Sequence, residues 1–131
     1  MPRINHIAIK VDDLQSATDL YEKVFGLKYV STAQSEGHVS RHLSDGAIFL
    51  TLMKYESEQS PEADLSGPGP CIHHIGLEVD DPARYEAMLK EFKGVEIISG
   101  SADKLPVKFR TKDGIVAELL AADTIEKAGK Q

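Results

Sequence analysis

The chain contains two similar stretches that lie 68 residues apart. Residues 5–13 read Asn-His-Ile-Ala-Ile-Lys-Val-Asp-Asp, and residues 73–81 read His-His-Ile-Gly-Leu-Glu-Val-Asp-Asp. The same spacing relates Gly26 to Gly94. A register kept without a gap over this length is typical of an internal duplication. We therefore expect two copies of one structural module.

Each copy predicts the element order strand, helix and three strands. Residues 4–11 alternate between apolar and polar types, which is typical of a half-buried strand, and residues 71–79 repeat the pattern. Apolar residues at helical spacing follow, and a glycine ends each helix. The predicted organisation is module one at 3–53, a linker rich in Pro, Gly and Ser at 54–70, module two at 71–121, and a polar tail at 122–131.

Composition and charge exclude several classes of function. A chain of 131 residues suits one domain, or two small modules with a shared core. Its net charge of −6, without a basic stripe, argues against a nucleic-acid partner. No apolar run is long enough to span a bilayer, which argues against a membrane partner. The single cysteine, Cys71, cannot form an internal disulfide, as is typical of a reducing compartment. We expect a cytoplasmic protein.

Three residues have the chemistry of a metal site. The strand face that does not pack on a helix carries His6 in the first copy and His74 in the second. Two symmetric modules would bring these equivalent histidines together. Glu118 is a lone carboxylate in an apolar strand, and burying it unpaired would be costly. A lone strand histidine is more often structural, but two histidines and one carboxylate are the components of a facial metal triad.

Other polar residues on the strands have less specific roles. His38 and His42 share a strand face that should look into the space between the modules, so they are candidate general acids or bases. The alternative is that they are exposed strand residues. His73 is expected to be structural. Lys10 and Glu78 are repeat-equivalent, and we expect them to pair across the interface between the modules.

Residues 5–14 with 20–27, and residues 73–81 with 113–119, resemble the two halves of the vicinal oxygen chelate superfamily. That superfamily includes glyoxalase I, methylmalonyl-CoA epimerase, extradiol dioxygenases and bleomycin-resistance proteins. The resemblance extends over residues 3–121. It implies an α+β fold in which two βαβββ modules form a cup-shaped mixed β-barrel around a divalent metal held by His6, His74 and Glu118. It also implies a small-molecule substrate and a homodimer.

The sequence departs from this family at a fourth ligand. Members similar to glyoxalase and epimerase usually supply it from the last strand of module one. Here the 68-residue spacing places Leu50 opposite Glu118, whereas the apolar alternation favours Thr51. Neither residue is a good ligand for a divalent cation, so three protein ligands and open positions remain.

A three-ligand site with open positions is the arrangement of non-haem Fe(II) oxygenases. We therefore expect a metal-dependent dioxygenase that acts on a small oxygenated substrate. Fe²⁺ or Mn²⁺ is the expected cofactor, with Ni²⁺, Co²⁺ or Zn²⁺ as further candidates. One alternative is a lyase or isomerase of the glyoxalase I or methylmalonyl-CoA epimerase type. Another is a metal-free binding protein of the bleomycin-resistance type, against which the three retained ligand residues argue.

Overall fold

The computed structural model describes residues 1–122, so the predicted polar tail lies outside the described residues except for Ala122. These residues form eight strands and two helices. Their bounds are β1 Arg3–Lys10, α1 Leu14–Asp19, β2 Lys28–Ser35, β3 His38–Ser44, β4 Phe49–Tyr55, β5 Cys71–Val79, α2 Pro82–Glu91, β6 Glu96–Ser101, β7 Lys104–Arg110 and β8 Val116–Ala121. Helix α1 continues as a π-type turn over Leu20–Val24. Within residues 1–122 neither helix is long and apolar enough to cross a membrane.

Repeat-equivalent aspartates begin the two helices. The Asp13 carboxylate accepts a hydrogen bond from the backbone N–H of Ser16 at 3.0 Å, and Asp81 accepts one from Arg84 at 3.2 Å. These caps satisfy N–H groups that have no partner within the helix. Pro82 follows Asp81 at the first helical position, where its missing N–H costs nothing. The duplicated sequence thus fixes where both helices start.

All eight strands form one mixed sheet in the order β2-β3-β4-β1-β5-β8-β7-β6. Within module one β1 runs parallel to β4, and within module two β5 runs parallel to β8. The first strands of the modules, β1 and β5, pair antiparallel at the centre. The modules are therefore joined edge to edge about an approximate twofold axis. The predicted α+β fold with paired βαβββ modules is confirmed.

Part of the predicted linker belongs to the sheet. Lys54 and Tyr55 lie in β4 because they pair with Val39 and His38 of β3. The remaining segment, residues 56–70, is called the strap below. Ala63 of the strap is fully buried in an apolar cluster with Ala8, Met53 and Tyr55. The strap is therefore packed against the sheet, which the polar composition of the segment did not indicate.

Lys10 of β1 holds the strap in place through three contacts. Its Nζ donates to the carbonyl oxygens of Ala63 at 2.8 Å and Gly67 at 2.9 Å, and it pairs with Glu58 at 3.1 Å. The predicted pairing of Lys10 with Glu78 is wrong. The antiparallel register of β1 and β5 places these residues at opposite ends of the strands.

Candidate metal centre

The three predicted metal residues meet at the centre of the sheet. His6, His74 and Glu118 lie on the adjacent strands β1, β5 and β8, and all three are buried. The Nε2 atoms of the two histidines are 3.1 Å apart. Glu118 Oε1 lies 3.2 Å from His6 Nε2 and 3.3 Å from His74 Nε2. The strand order thus brings three potential ligand atoms together at one point.

The spacing of these three atoms fits a divalent cation. Ligand atoms about 2.1 Å from a cation and at right angles to each other lie about 3.0 Å apart. The separations of 3.1, 3.2 and 3.3 Å are close to that value. Imidazole nitrogen and carboxylate oxygen are ligands that first-row transition metals accept. This group is the one cluster of its kind found within residues 1–122.

His73 fixes the proton position on His74. His73 Nε2 lies 2.8 Å from the carbonyl oxygen of Glu62, which can only accept, so Nε2 is the donor. Burial lowers the pKa of His73 to about 4, so the neutral ring must accept at Nδ1. His74 Nδ1, 2.8 Å away, then donates to it. This leaves a lone pair on His74 Nε2, which faces His6 and Glu118.

Asn5 has the same role toward His6. Its Oδ1 lies 2.6 Å from His6 Nδ1 and accepts the proton there, so that Nε2 carries a lone pair. Metal-binding histidines commonly have such a partner on the second ring nitrogen. Neighbouring residues of a strand point to opposite faces, so strand alternation argued against these contacts. Their equivalence in the repeat, each directly preceding its histidine, is the signal that could have revealed them.

The Glu118 carboxylate is ionised in its buried position. Burial alone would raise its pKa, but without a metal a facing imidazole that is protonated at Nε2 donates to Glu118, and the hydrogen bonds and charges of His6 and His74 then hold the pKa well below its usual range. The positive charge that this requires comes from a proton on an imidazole or from a cation among the three residues. Lys108 Nζ, 3.6 Å from Glu118 Oε2, adds to it.

Strand pairing identifies the module-one counterparts of Glu118 and Lys108. Ala8 pairs with Thr51 as its repeat-equivalent Gly76 pairs with Glu118, so Thr51 and not Leu50 is the counterpart of Glu118. Thr51 in turn pairs with His42 as Glu118 pairs with Lys108. His42 and Lys108 therefore occupy equivalent positions on either side of the three residues.

A cavity of about 390 Å³ opens beside the three residues and is lined by both modules and the strap. Phe49, Met53 and Leu120 give part of its wall an apolar surface. Both predicted acid–base candidates, His38 and His42, also line it. The cavity can therefore hold a ligand with an apolar part next to ionisable groups.

The two cavity histidines are neutral at neutral pH. Burial lowers the pKa of His42, and the charge of His6 lowers it further. Burial is also the main cause of the lowered pKa of His38, whose ring lies 4.8 Å from the ring of Tyr55. His42 Nδ1 shares a hydrogen bond of 3.1 Å with Thr51 Oγ1. When Nδ1 is the donor, His42 Nε2 is free to accept a proton.

Gly76 makes room for the ring of His6. The two residues face each other across β1 and β5. A Cβ atom at Gly76 would overlap the His6 imidazole and would lie 2.7 Å from its Nε2. The backbone of Gly76 does not have positive φ, so glycine is needed here for space and not for conformation. Its module-one equivalent, Ala8, carries the methyl group that Gly76 lacks.

We expect His73→Phe to weaken metal binding by about 10–100-fold, because loss of an outer hydrogen bond releases the tautomer and orientation of His74. Chelator competition on the purified protein measures this affinity. His38→Phe is the matched control, since the rings of His73 and His38 both lie beside Tyr55, at 5.7 and 4.8 Å, but His38 forms no hydrogen bond to the three residues. Equal affinities for the two variants would show that the His73 contact does not orient His74.

Comparisons with known proteins agree with this architecture. The model of the Glyoxalase/Bleomycin resistance protein/Dioxygenase superfamily matches residues 3–119. An ethylmalonyl-CoA/methylmalonyl-CoA epimerase from Cereibacter sphaeroides is 31% identical over 112 residues, which are 79% of each protein. A mitochondrial methylmalonyl-CoA epimerase from Dictyostelium discoideum is 33% identical over 86 residues, which are 60% of this chain and half the length of that relative.

A solved structure of a methylmalonyl-CoA epimerase in complex with methylmalonyl-CoA and NH4⁺ superposes with a TM-score of 0.75 at 26% identity. The match covers 95% of this chain and 97% of that one. The family model and the structural match both extend over nearly the whole described fold. The chain therefore belongs to the Glyoxalase/Bleomycin resistance protein/Dioxygenase superfamily.

Proposed function

We propose that the protein is a metal-dependent epimerase that exchanges a proton on the carbon next to the carbonyl of an acyl thioester. The observation that carries the proposal is a neutral imidazole, His42, in the same cavity as the three-residue centre. The relatives named above are epimerases of acyl-CoA substrates. They favour the epimerase alternative of the sequence analysis over the dioxygenase interpretation.

His6, His74 and Glu118 would hold the metal, and their tautomers and charge are suited to it. When bound, a divalent cation supplies Lewis acidity, which stabilises negative charge on a carbonyl oxygen. Proton transfer requires no change of oxidation state. The proposed function therefore gives iron no advantage over Mn²⁺, Ni²⁺, Co²⁺ or Zn²⁺.

His42 is the proposed general base. Its lowered pKa keeps the ring unprotonated at neutral pH, which a base requires. Thr51 Oγ1 at 3.1 Å orients the ring through Nδ1, and Nε2 of this cavity-lining residue keeps its lone pair when Nδ1 is the donor. His38, four residues along the same strand face, is a second group that can hold a proton in this cavity. The apolar residues of the cavity wall limit the access of water to these two histidines.

Solvent exchange tests the proposal directly. Metal-loaded protein incubated with methylmalonyl-CoA in D₂O should introduce deuterium at the carbon between the two carbonyl groups, well above the rate without protein. His42→Gln should slow the exchange by about 10²–10⁴-fold with unchanged metal content, which is the usual contribution of a general base. Mass spectrometry of the recovered thioester measures both.

Two results would count against this function. One is the absence of catalysed exchange with both methylmalonyl-CoA and ethylmalonyl-CoA in protein that carries stoichiometric metal. The other is oxygen consumption by Fe²⁺-loaded protein with a catechol, which would instead support the dioxygenase interpretation. An unchanged exchange rate in His42→Gln would leave the epimerase assignment in place and remove His42 as its base.

A further inference from the structure

Lys108 is a buried cation at the edge of the candidate metal centre. It lies on β7 opposite Glu118 of β8, and only 6% of the residue is exposed. It is the only lysine or arginine among the described residues that line the cavity. A buried ammonium group is stable only when it is paired and hydrogen-bonded. The identity of its partner therefore bears on what the cavity binds.

The main partner of Lys108 is Glu62 of the strap. Both carboxylate oxygens of Glu62 contact Lys108 Nζ, at 2.9 and 3.0 Å, whereas the nearer oxygen of Glu118 is 3.6 Å away. The Glu62 side chain is 42% exposed. A solvent-accessible carboxylate thus sits against a buried ammonium group inside the cavity.

The backbone of Glu62 is held in an unfavourable conformation. Its φ of +66° is the only positive φ of a non-glycine residue within residues 1–122. Such a conformation costs free energy for a residue with a Cβ atom and persists only where surrounding contacts impose it. Here the Glu62 carbonyl accepts the hydrogen bond from His73. Because Lys10 fixes Ala63 and Gly67 from outside the cavity, the strap does not depend on the Glu62 side chain for its position.

We propose that Lys108 is the binding site for a carboxylate of the substrate, and that the Glu62 carboxylate occupies it until the substrate displaces it. The inference rests on the proposed function and assigns one residue to the recognition of the free carboxylate of its substrate. Glu62 already presents to Lys108 the chemical group that such a substrate would present. Glu118 contacts Lys108 through Oε2 and the two histidines through Oε1, so a carboxylate held at Lys108 would place the adjacent carbons close to the centre.

Calorimetry with free methylmalonate and the metal-loaded protein tests the inference. Propionate, which has one carboxylate, is the comparison ligand. Glu62→Gln removes the competing carboxylate and should bind methylmalonate about tenfold more tightly, whereas Lys108→Met should bind it at least about tenfold more weakly, since hydrogen bonds to charged groups contribute this much. Lys108→Arg should retain binding. The affinity for propionate should change less than that for methylmalonate in each variant.

Glu58→Gln is the matched control, because Glu58 is also a strap carboxylate paired with a buried lysine, Lys10, but lies outside this cavity. Equal methylmalonate affinities of Glu62→Gln and Glu58→Gln would overturn the role of Glu62. Wild-type affinity in a folded Lys108→Met would overturn that of Lys108. If Lys108→Met does not fold, the double variant Lys108→Met with Glu62→Gln removes both charges together and serves in its place.

The binding measurement separates this inference from the proposed function. A protein that binds methylmalonate in the expected pattern but catalyses no deuterium exchange would reject the epimerase and keep the carboxylate site. A protein that catalyses exchange without this pattern would reject the carboxylate site alone.

Discussion

Glu118→Gln should abolish stoichiometric metal binding. The amide has nearly the volume of the carboxylate but carries no charge, so two neutral imidazoles would remain as ligands. In the wild type, adding the metal should also raise the unfolding temperature, because a ligand that binds only the folded state stabilises it. The variant should gain no such stabilisation. Elemental analysis after reconstitution and thermal unfolding with and without metal measure the two effects.

Glu78→Gln is the control for this substitution. Glu78 is a buried carboxylate on β5, but it pairs with Arg3 at 2.9 Å and does not contact the centre. It should keep full metal content. Stoichiometric metal in Glu118→Gln would reject the proposed ligand set. A wild type that takes up no metal after reconstitution would instead support the metal-free binding protein of the sequence analysis.

Gly76→Ala should be nearly as damaging to metal binding as the loss of a ligand. The added methyl group would overlap the His6 ring, which is enclosed by buried neighbours and must rotate out of the centre. Overpacking of this kind also costs about 1–3 kcal/mol of stability. Metal content and the free energy of unfolding in denaturant measure the two consequences. A loss of metal from protein that is still fully folded by the denaturant measurement would identify the displacement of His6.

A double-variant experiment assigns the effect to His6. If Gly76→Ala acts through that ring, it should add little to the metal loss of His6→Ala, because both changes remove the same interaction. Gly46→Ala provides a control, since Gly46 lies in module one and a Cβ atom there meets no atom within 4 Å. Its φ of +97° makes alanine costly to stability, but the change does not touch the His6 ring. Unchanged metal affinity in Gly76→Ala would show that His6 is not a ligand.

The sequence predicts the fold and the three central residues because both depend on local and repeated patterns. Strand alternation assigns His6 and His74 to one face without knowledge of the rest of the fold. The duplication then supplies the long-range information, since equivalent residues of two symmetric modules meet near the axis. The aspartates that begin the helices were predictable for the same reason.

Other features depend on pairing that the sequence does not encode locally. The spacing between the two copies is one residue shorter at their last strands, β4 and β8, so strict spacing pointed to Leu50 while apolar alternation favoured Thr51. Strand pairing decides between them for Thr51. The misassigned Lys10–Glu78 pair reflects the antiparallel contact of β1 and β5. The strap has no second copy for comparison, and its polar composition concealed Glu62. Strict 68-residue spacing pairs Lys108 with Ser40, so the repeat gave no sign that Lys108 lies at the centre.

The edge-to-edge pairing of β1 and β5 also has an evolutionary consequence. Two identical half-length chains would place the same residue on both sides of the centre, and any mutation would appear twice. Fusion of the halves into one gene lets each side change alone. Thr51 opposite Glu118 and His42 opposite Lys108 are differences of this kind. One side of the cavity has thereby acquired a neutral imidazole and the other an ammonium group, so the two ends of an asymmetric molecule meet different chemistry.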